Sequence, residues 1–371
     1  MPSRPGPGTL LAILILLLAT PAGSAAPEGW DPGFTPATAA TAFTRFELHG
    51  SSLAWLSKTS TGINVVLTEL EGGGDRILTT IPSEQGASLS VGCLAFDGTW
   101  VAWCDDRFGN MDVFAVEVAS RRLVRISEGP TDDVEAALGD GRMAWSSGGA
   151  IWLRDLANGT SWRVDTGPGM AREPALAGET LAWIRLDGYT RYVVAGDLAG
   201  GGARALSGPN GTFAHALVGE GDALAWEVYV QRFSDRPEAG FAGTVLQAVQ
   251  AGGPVQNVTR VPDFQAGRSS PLATDLGGHR VAWLDPTERE IDAKSHDLRT
   301  GAEDVLASKA QAVAVSDSHL AAYVGVPGSG QIWVLGWDEG GAGDGGKGVD
   351  APAPALALSS LAAAALLRRR T

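Results

Sequence analysis

The sequence predicts an all-β fold: a β-propeller of seven blades, each of four antiparallel strands. Three observations predict it. One apolar triplet recurs at a regular period along the chain. The composition favours turns and short strands, with 50 Gly and 12 Trp among 371 residues and only 19% charged side chains. No long amphipathic helix is visible between the two ends.

The repeat is the strongest signal. Leu53-Ala54-Trp55 returns as Val101-Ala102-Trp103, Met143-Ala144-Trp145, Leu181-Ala182-Trp183, Leu224-Ala225-Trp226 and Val281-Ala282-Trp283. A worn copy, Leu320-Ala321-Ala322-Tyr323, completes the set. The mean spacing is roughly 44 residues, the length of one four-stranded blade. A misread end unit would make the ring six or eight blades instead.

Each unit repeats one internal order. A Gly- or Asp-containing turn precedes the Ala-Trp strand, as at Asp97-Gly98, Asp140-Gly141 and Gly277-Gly278. After a polar loop, a third strand ends in an acidic-apolar step such as Glu117-Val118, Asp155-Leu156 or Asp297-Leu298. A Gly or Asn turn then leads to a short fourth strand. One such sheet cannot bury both faces alone, whereas radial stacking covers them and leaves short edges. The Ala of each triplet suits close packing between blades, and the Trp supplies apolar area to a neighbour. The seventh unit runs into a Gly-rich segment without a fourth strand. Residues 35–42, ahead of the first unit, are expected to cover that edge.

Both ends read as addresses. Residues 1–26 form a secretory signal, with Arg4 before an apolar run at 10–19 and small residues at 22–26. Residues 27–42 lead into the propeller at 43–337, and 338–350 is a flexible Gly/Asp linker. Residues 351–371 combine a short apolar stretch with Arg368, Arg369 and Arg370. That order is a stop-transfer arrangement and places the body outside the membrane, on the extracellular face. Asp350-Ala351-Pro352-Ala353-Pro354, the apolar run and the arginines resemble the three-part C-terminal sorting signals of archaeal and some bacterial surface proteins. The expected location is therefore the cell surface, with the membrane contacted through the tail.

The run Val101-Ala102-Trp103-Cys104-Asp105-Asp106-Arg107-Phe108-Gly109-Asn110-Met111-Asp112-Val113-Phe114 resembles the TolB-type propeller repeat. That repeat has a strand, then Asp-Arg-x-Gly-Asn-x-Asp, then a second apolar strand. The resemblance implies a β-propeller and often a periplasmic or surface location, and it implies no reaction.

The net charge is −14, so phosphate backbones should be repelled and nucleic acid is not an expected partner. Cys93 and Cys104 flank the Asp97-Gly98 turn. An even-numbered hairpin loop would put both side chains on one sheet face, opposite or one diagonal apart. A disulfide is expected outside the cell, with two buried thiols as the alternative. Asp105, Asp106, Asn110 and Asp112 offer oxygens, but the alternating calcium-loop pattern with its terminal Glu is missing, and no metal or other cofactor is expected. Asn158, Asn210 and Asn257 begin glycosylation acceptor sequences, two of which also suit Asn-Gly turns.

Loops between second and third strands share one face of a propeller with the connections between blades. Asp105, Arg107, Asp187, Arg232, Asp235, Arg236 and Asp285 should lie on that face. The longest interval between triplets, from 224 to 281, contains three of them. No G-x-S-x-G or H-E-x-x-H run occurs, and the five histidines lack an adjacent nucleophile. The expected function is a non-catalytic binding or scaffold module for protein or glycan partners. An extracellular hydrolase or lyase with carboxylates over the channel is one alternative, and a surface-layer component is another.

Overall fold

The computed structural model describes residues 31–34 and 46–336, except 72–73, 83–88, 91–92, 165, 199–201, 208–211, 232–240, 263–273, 287–290, 309 and 325–330. Every described element is a β-strand. The expected signal, linker and tail lie outside the described residues, as does the 35–42 segment assigned to ring closure. Among the described residues, no helix is long and apolar enough to cross a membrane.

The described strands fall into seven successive antiparallel groups of four. The innermost strands, in order, are Phe46–His49, Ala95–Phe96, Asp133–Gly139, Met170–Ala177, Thr212–Glu220, Asp275–Gly277 and Ala310–Val315. Each is followed by its triplet strand and a third strand, and in groups one to six by an outer strand. Groups four and five join into one sheet through a single parallel pair, Arg191 beside Phe213.

Alternation within the triplet explains how the groups stack. Successive strand side chains face opposite ways, so the first and third triplet residues share a face and the Ala points the other way. Leu53 and Trp55 pack with Tyr323 and Val334 of group seven, while Ala54 packs with Val101 and Trp103 of group two. The same rule holds round the ring. Seven apolar clusters each join two successive groups, and one of them joins group seven to group one. This closed stack of radially packed sheets is a β-propeller.

The seventh triplet differs from its expected form. Leu320 and Ala322 face group six, while Ala321 and Tyr323 face group one. Ala322 therefore stands where the other groups carry Trp, and Tyr323 is on the opposite face. The contact between groups six and seven is correspondingly close. A Cβ added at Gly277 would lie 2.3 Å from Ser316 Cα and 2.4 Å from the Val315 carbonyl oxygen. Only glycine permits that backbone approach.

The outer strand of the seventh group comes from the start of the described chain. Asp31–Phe34 pairs antiparallel with Gln331–Gly336, with Asp31 opposite Val334 and Phe34 opposite Ile332. The ends of the ring thus share one sheet, and its outer edge is covered.

The acidic-apolar step has a repeated backbone role. The amide after the acid donates to the first hairpin turn of its own group: Leu70 to Ser51, Val118 to Thr99, Leu156 to Gly141, Leu198 to Glu179 and Leu298 to His279. Asp155 and Asp297 also accept two amides each from the turn that follows them.

Candidate functional site: the two mouths of the channel

The loop face is built most clearly in group two. Asp105 is fully buried and accepts from Trp103 Nε1 at 2.8 Å and from Arg107 Nε at 2.7 Å. The Arg107 guanidinium lies 4.2 Å from the centre of the Phe114 ring. Arg125 repeats the arrangement, bonding buried Asp112 at 2.6 Å and stacking 4.4 Å over Phe108. Asn110 donates to the Thr131 carbonyl, and the Met111 amide donates to Asp132, tying this loop to the connection into group three. The Asp-Arg-x-Gly-Asn-x-Asp run therefore anchors its own loop by charge-assisted hydrogen bonds and cation–ring contacts.

The other loop-face residues sit in separate groups. Asp187 is exposed in group four and gives its carbonyl to Thr190. Asp285 in group six pairs with Lys294 on the neighbouring strand. Arg232, Asp235 and Arg236 lie outside the described residues, as does Asn210. Exposed Asn158 bonds Asp155 and accepts the Thr160 amide, closing its turn, and exposed Asn257 accepts from Gln247. Cys93, two residues ahead of the inner strand, and Cys104 of the triplet strand form a disulfide, with Cα atoms 5.5 Å apart.

The inner strands of groups three, four and five carry a feature that the sequence did not announce. Each has a β-bulge, and Glu135, Glu173 and Ala216 occupy equivalent positions in it with φ of 59°, 48° and 51°. The acid of one bulge accepts the amide of the next: Glu135 from Glu173 at 2.9 Å, Glu173 from Ala216 at 2.8 Å. Glu135 also accepts from Arg172 and Ser146. In group two the equivalent residue is Cys93, whose sulfur accepts from the Ala136 amide. Burial raises the Glu173 carboxyl above its usual range, and neighbouring Glu135 adds to this.

Beside this relay lies His215, directly opposite buried Glu227 across a strand pair. Its Nδ1 is 3.6 Å from the Glu227 carboxylate, and its ring meets Tyr229 edge-on. Thr274 of group six donates to the same carboxylate at 2.8 Å. Neither His215 nitrogen has a hydrogen-bond partner among the described residues. Burial pushes the imidazole down to about 4.

At the opposite, turn-side end the inner strands enclose a cavity of about 490 Å³. Its lining carries Glu47, Asp97, Asp140, Glu220, Asp275 and Asp317, with His49 as the only basic side chain among the described residues. His49 of group one leans over Gly98 of group two and reaches Glu220 of group five, Nδ1 to carboxylate 3.3 Å. The Glu220 hydrogen bond holds the His49 imidazolium above its ordinary 6.5. Burial raises Glu220, and His49 opposes that rise. Asp275 accepts the Val315 amide at 2.7 Å, and burial with Glu47 nearby drives its carboxyl well above the usual range. The contact of His49 with a residue four groups later had no sequence signal. Among the described residues, no set of three His, Cys, Asp or Glu side chains is arranged to hold a metal ion.

No family model and no curated protein matches the chain. Solved structures do. A puromycin-hydrolysing peptidase of Mycobacterium tuberculosis superposes with a TM-score of 0.53 at 15% identity, over 83% of this chain. The chain spans 54% of that peptidase. An oligogalacturonate lyase in complex with manganese gives 0.51 at 12% identity, covering 80% of this chain and 89% of the lyase. TolB from Acinetobacter baumannii gives 0.43 at 14% identity, covering 77% and 79%. At such identities the likeness extends to the fold alone, because one propeller scaffold hosts unrelated activities.

Proposed function

We propose that the chain is an exported seven-bladed propeller, held at the cell surface through its C-terminal tail, that acts as a non-catalytic binding or scaffold module for a protein or glycan partner. The observation that carries this reading is a division of labour on the loop face. Buried carboxylates there serve neighbouring backbone and arginine groups, whereas large apolar side chains are left outside. Phe108, Met170 and Tyr189 are 57%, 51% and 93% exposed. Phe108 and Tyr189 sit in loops between second and third strands, and Met170 opens an inner strand on the same face. Exposed aromatic side chains on a rigid ring suit docking to a protein surface or stacking on a sugar ring. The pairing of Asp105 with Arg107 makes those two supports of the face, and the contact role passes to the exposed rings beside them.

The test is binding of the purified full chain to immobilised cell-surface protein and polysaccharide fractions by surface plasmon resonance. The expected result is saturable binding that falls at least tenfold in the double variant Phe108→Ala/Tyr189→Ala, with Tyr189→Ala alone weakening binding at unchanged thermal stability and Phe108→Ala lowering stability only by its contact with Arg125. Turnover of a peptide or polysaccharide substrate by the wild-type chain would overturn the reading in favour of a hydrolase or lyase.

A further inference from the structure

The His49–Glu220 contact is unlike the other ion pairs in the ring. Most pairs lie within one group or between neighbours, as in Arg107 with Asp105 or Arg172 with Glu135. His49 belongs to group one and Glu220 to group five. Groups six and seven lie between them on one side, and three groups lie between them on the other. The contact is a chord across the turn-side mouth of the cavity. Both partners are part-buried, with 43% and 26% of their side chains exposed.

The chord spans the arc that contains group seven, whose contact with group six is made by small side chains and close backbone. Group seven has Ala322 in place of the interface Trp, and its outer strand is borrowed from residues 31–34. Within that arc, backbone and side-chain hydrogen bonds hold successive inner strands: Asp275 accepts from Val315, and Ser316 donates to the Gly50 carbonyl. The chord adds a tie that skips both groups.

We propose that the His49–Glu220 pair is a pH-operated clasp that bars the turn-side mouth of the channel and braces groups five, six, seven and one. Among the described residues, the other ionisable groups that line the cavity with His49 are all acidic: Glu47 on its own strand, Asp97 in group two, Asp140 in group three, Glu220 in group five, Asp275 in group six and Asp317 in group seven, of which Glu220, Asp97 and Asp317 act on the imidazole directly. Among the described residues, no Lys or Arg lines the cavity to replace the imidazolium. When His49 gives its proton to solvent, the carboxylates lose their counter-charge and repel across the mouth. The sign follows from the direction of the shift. His49 is raised above 6.5 by its partner, so its contribution is complete below that value and is lost as pH rises through the folded pKa. At the acid end the raised Glu220 carboxyl protonates and the charged pair ends there too. The clasp is therefore closed in mildly acidic solution and open in alkaline solution.

The experiment combines two readouts on the full chain. Proton NMR follows the His49 ring through pH 5 to 9 in wild type and in Glu220→Gln. The expected result is a His49 titration above 6.5 in wild type that moves down in the variant. Amide hydrogen exchange, corrected for the intrinsic pH dependence, then compares wild type with His49→Gln. Inner strands of groups six and seven should lose protection as pH rises in wild type, and should be pH-independent and already less protected in His49→Gln. The two proteins should converge at high pH, which also shows that the variant folds. An unshifted His49 titration in Glu220→Gln, or identical exchange profiles for wild type and His49→Gln, overturns the proposal.

Discussion

Six of the seven triplets place a Trp ring in the contact with the preceding group, and the five at Trp55, Trp103, Trp183, Trp226 and Trp283 are among the largest fully buried side chains. Trp283 illustrates what such a ring does. It packs with Leu246, Val258 and Val281 between groups five and six, and its Nε1 has no partner among the described residues. Its contribution is therefore area and shape. Trp283→Ala should cost about 3–5 kcal/mol, read as a lower midpoint in urea with an unchanged slope, whereas Trp283→Phe should cost distinctly less. His215 gives a second prediction at this scale. Its ring is held neutral to about 4, so between that value and 6.5 the unfolded chain binds a proton that the folded chain refuses. Stability should fall as pH drops through this window and level out above it. Guanidinium melts from pH 4 to 7 should show that slope in wild type and a flatter one in His215→Phe.

At the scale of the element, the bulged inner strands give the ring a handed, head-to-tail linkage. Glu135 reaches group four and Glu173 reaches group five, each through an acid accepting one backbone amide. Glu135→Ala removes the acceptor for Arg172, Ser146 and the Glu173 amide together. A loss of about 1 kcal/mol is expected from the part-buried amide alone, checked by thermal melts, with Glu135→Gln recovering part of it. The triplet strands, the first hairpin turns and the acidic-apolar steps were legible because a repeated physical demand leaves a repeated residue. Asp297, for example, must accept the amides of the turn behind it, so an acid stands there. The bulges were not legible. Glu135, Glu173 and Ala216 take left-handed backbone angles without Gly or Asn to signal them; at Glu173 and Ala216 the preceding group's carboxylate accepts the amide from outside the strand, and in group three the Cys93 sulfur accepts the adjacent Ala136 amide. The loop-face site was legible only in part. Asp-Arg at 105–107 signalled a charged loop, yet Trp103 and Phe114 draw that pair inward. The seventh triplet misled in a similar way: Tyr323 resembled a displaced Trp, but alternation puts Ala322 in its place.

For the whole molecule, closure decides the behaviour. An open stack of repeats leaves two end sheets exposed and unfolds from its ends, while a closed ring gives every sheet two neighbours. Here Phe46, Leu48 and Trp55 pack against Ala312, Ala314 and Tyr323, and Asp31–Phe34 completes the last sheet. Deleting residues up to Phe34 should expose the edge of Gln331–Gly336 and promote association through it, seen as a rise in light scattering below the unfolding midpoint. The period and the number of triplets made the ring legible, because a blade has a fixed length. The position of the closing strand was harder, since four residues with two paired positions carry no periodic pattern. The most direct test of the closed ring is urea unfolding of the full chain followed at once by Trp fluorescence, which reports the interfaces, and far-UV circular dichroism, which reports the strands. Closure predicts a single coincident transition in the full chain, and separated transitions once residues up to Phe34 are removed. Separate transitions in the full chain, or indifference to the deletion, would contradict it.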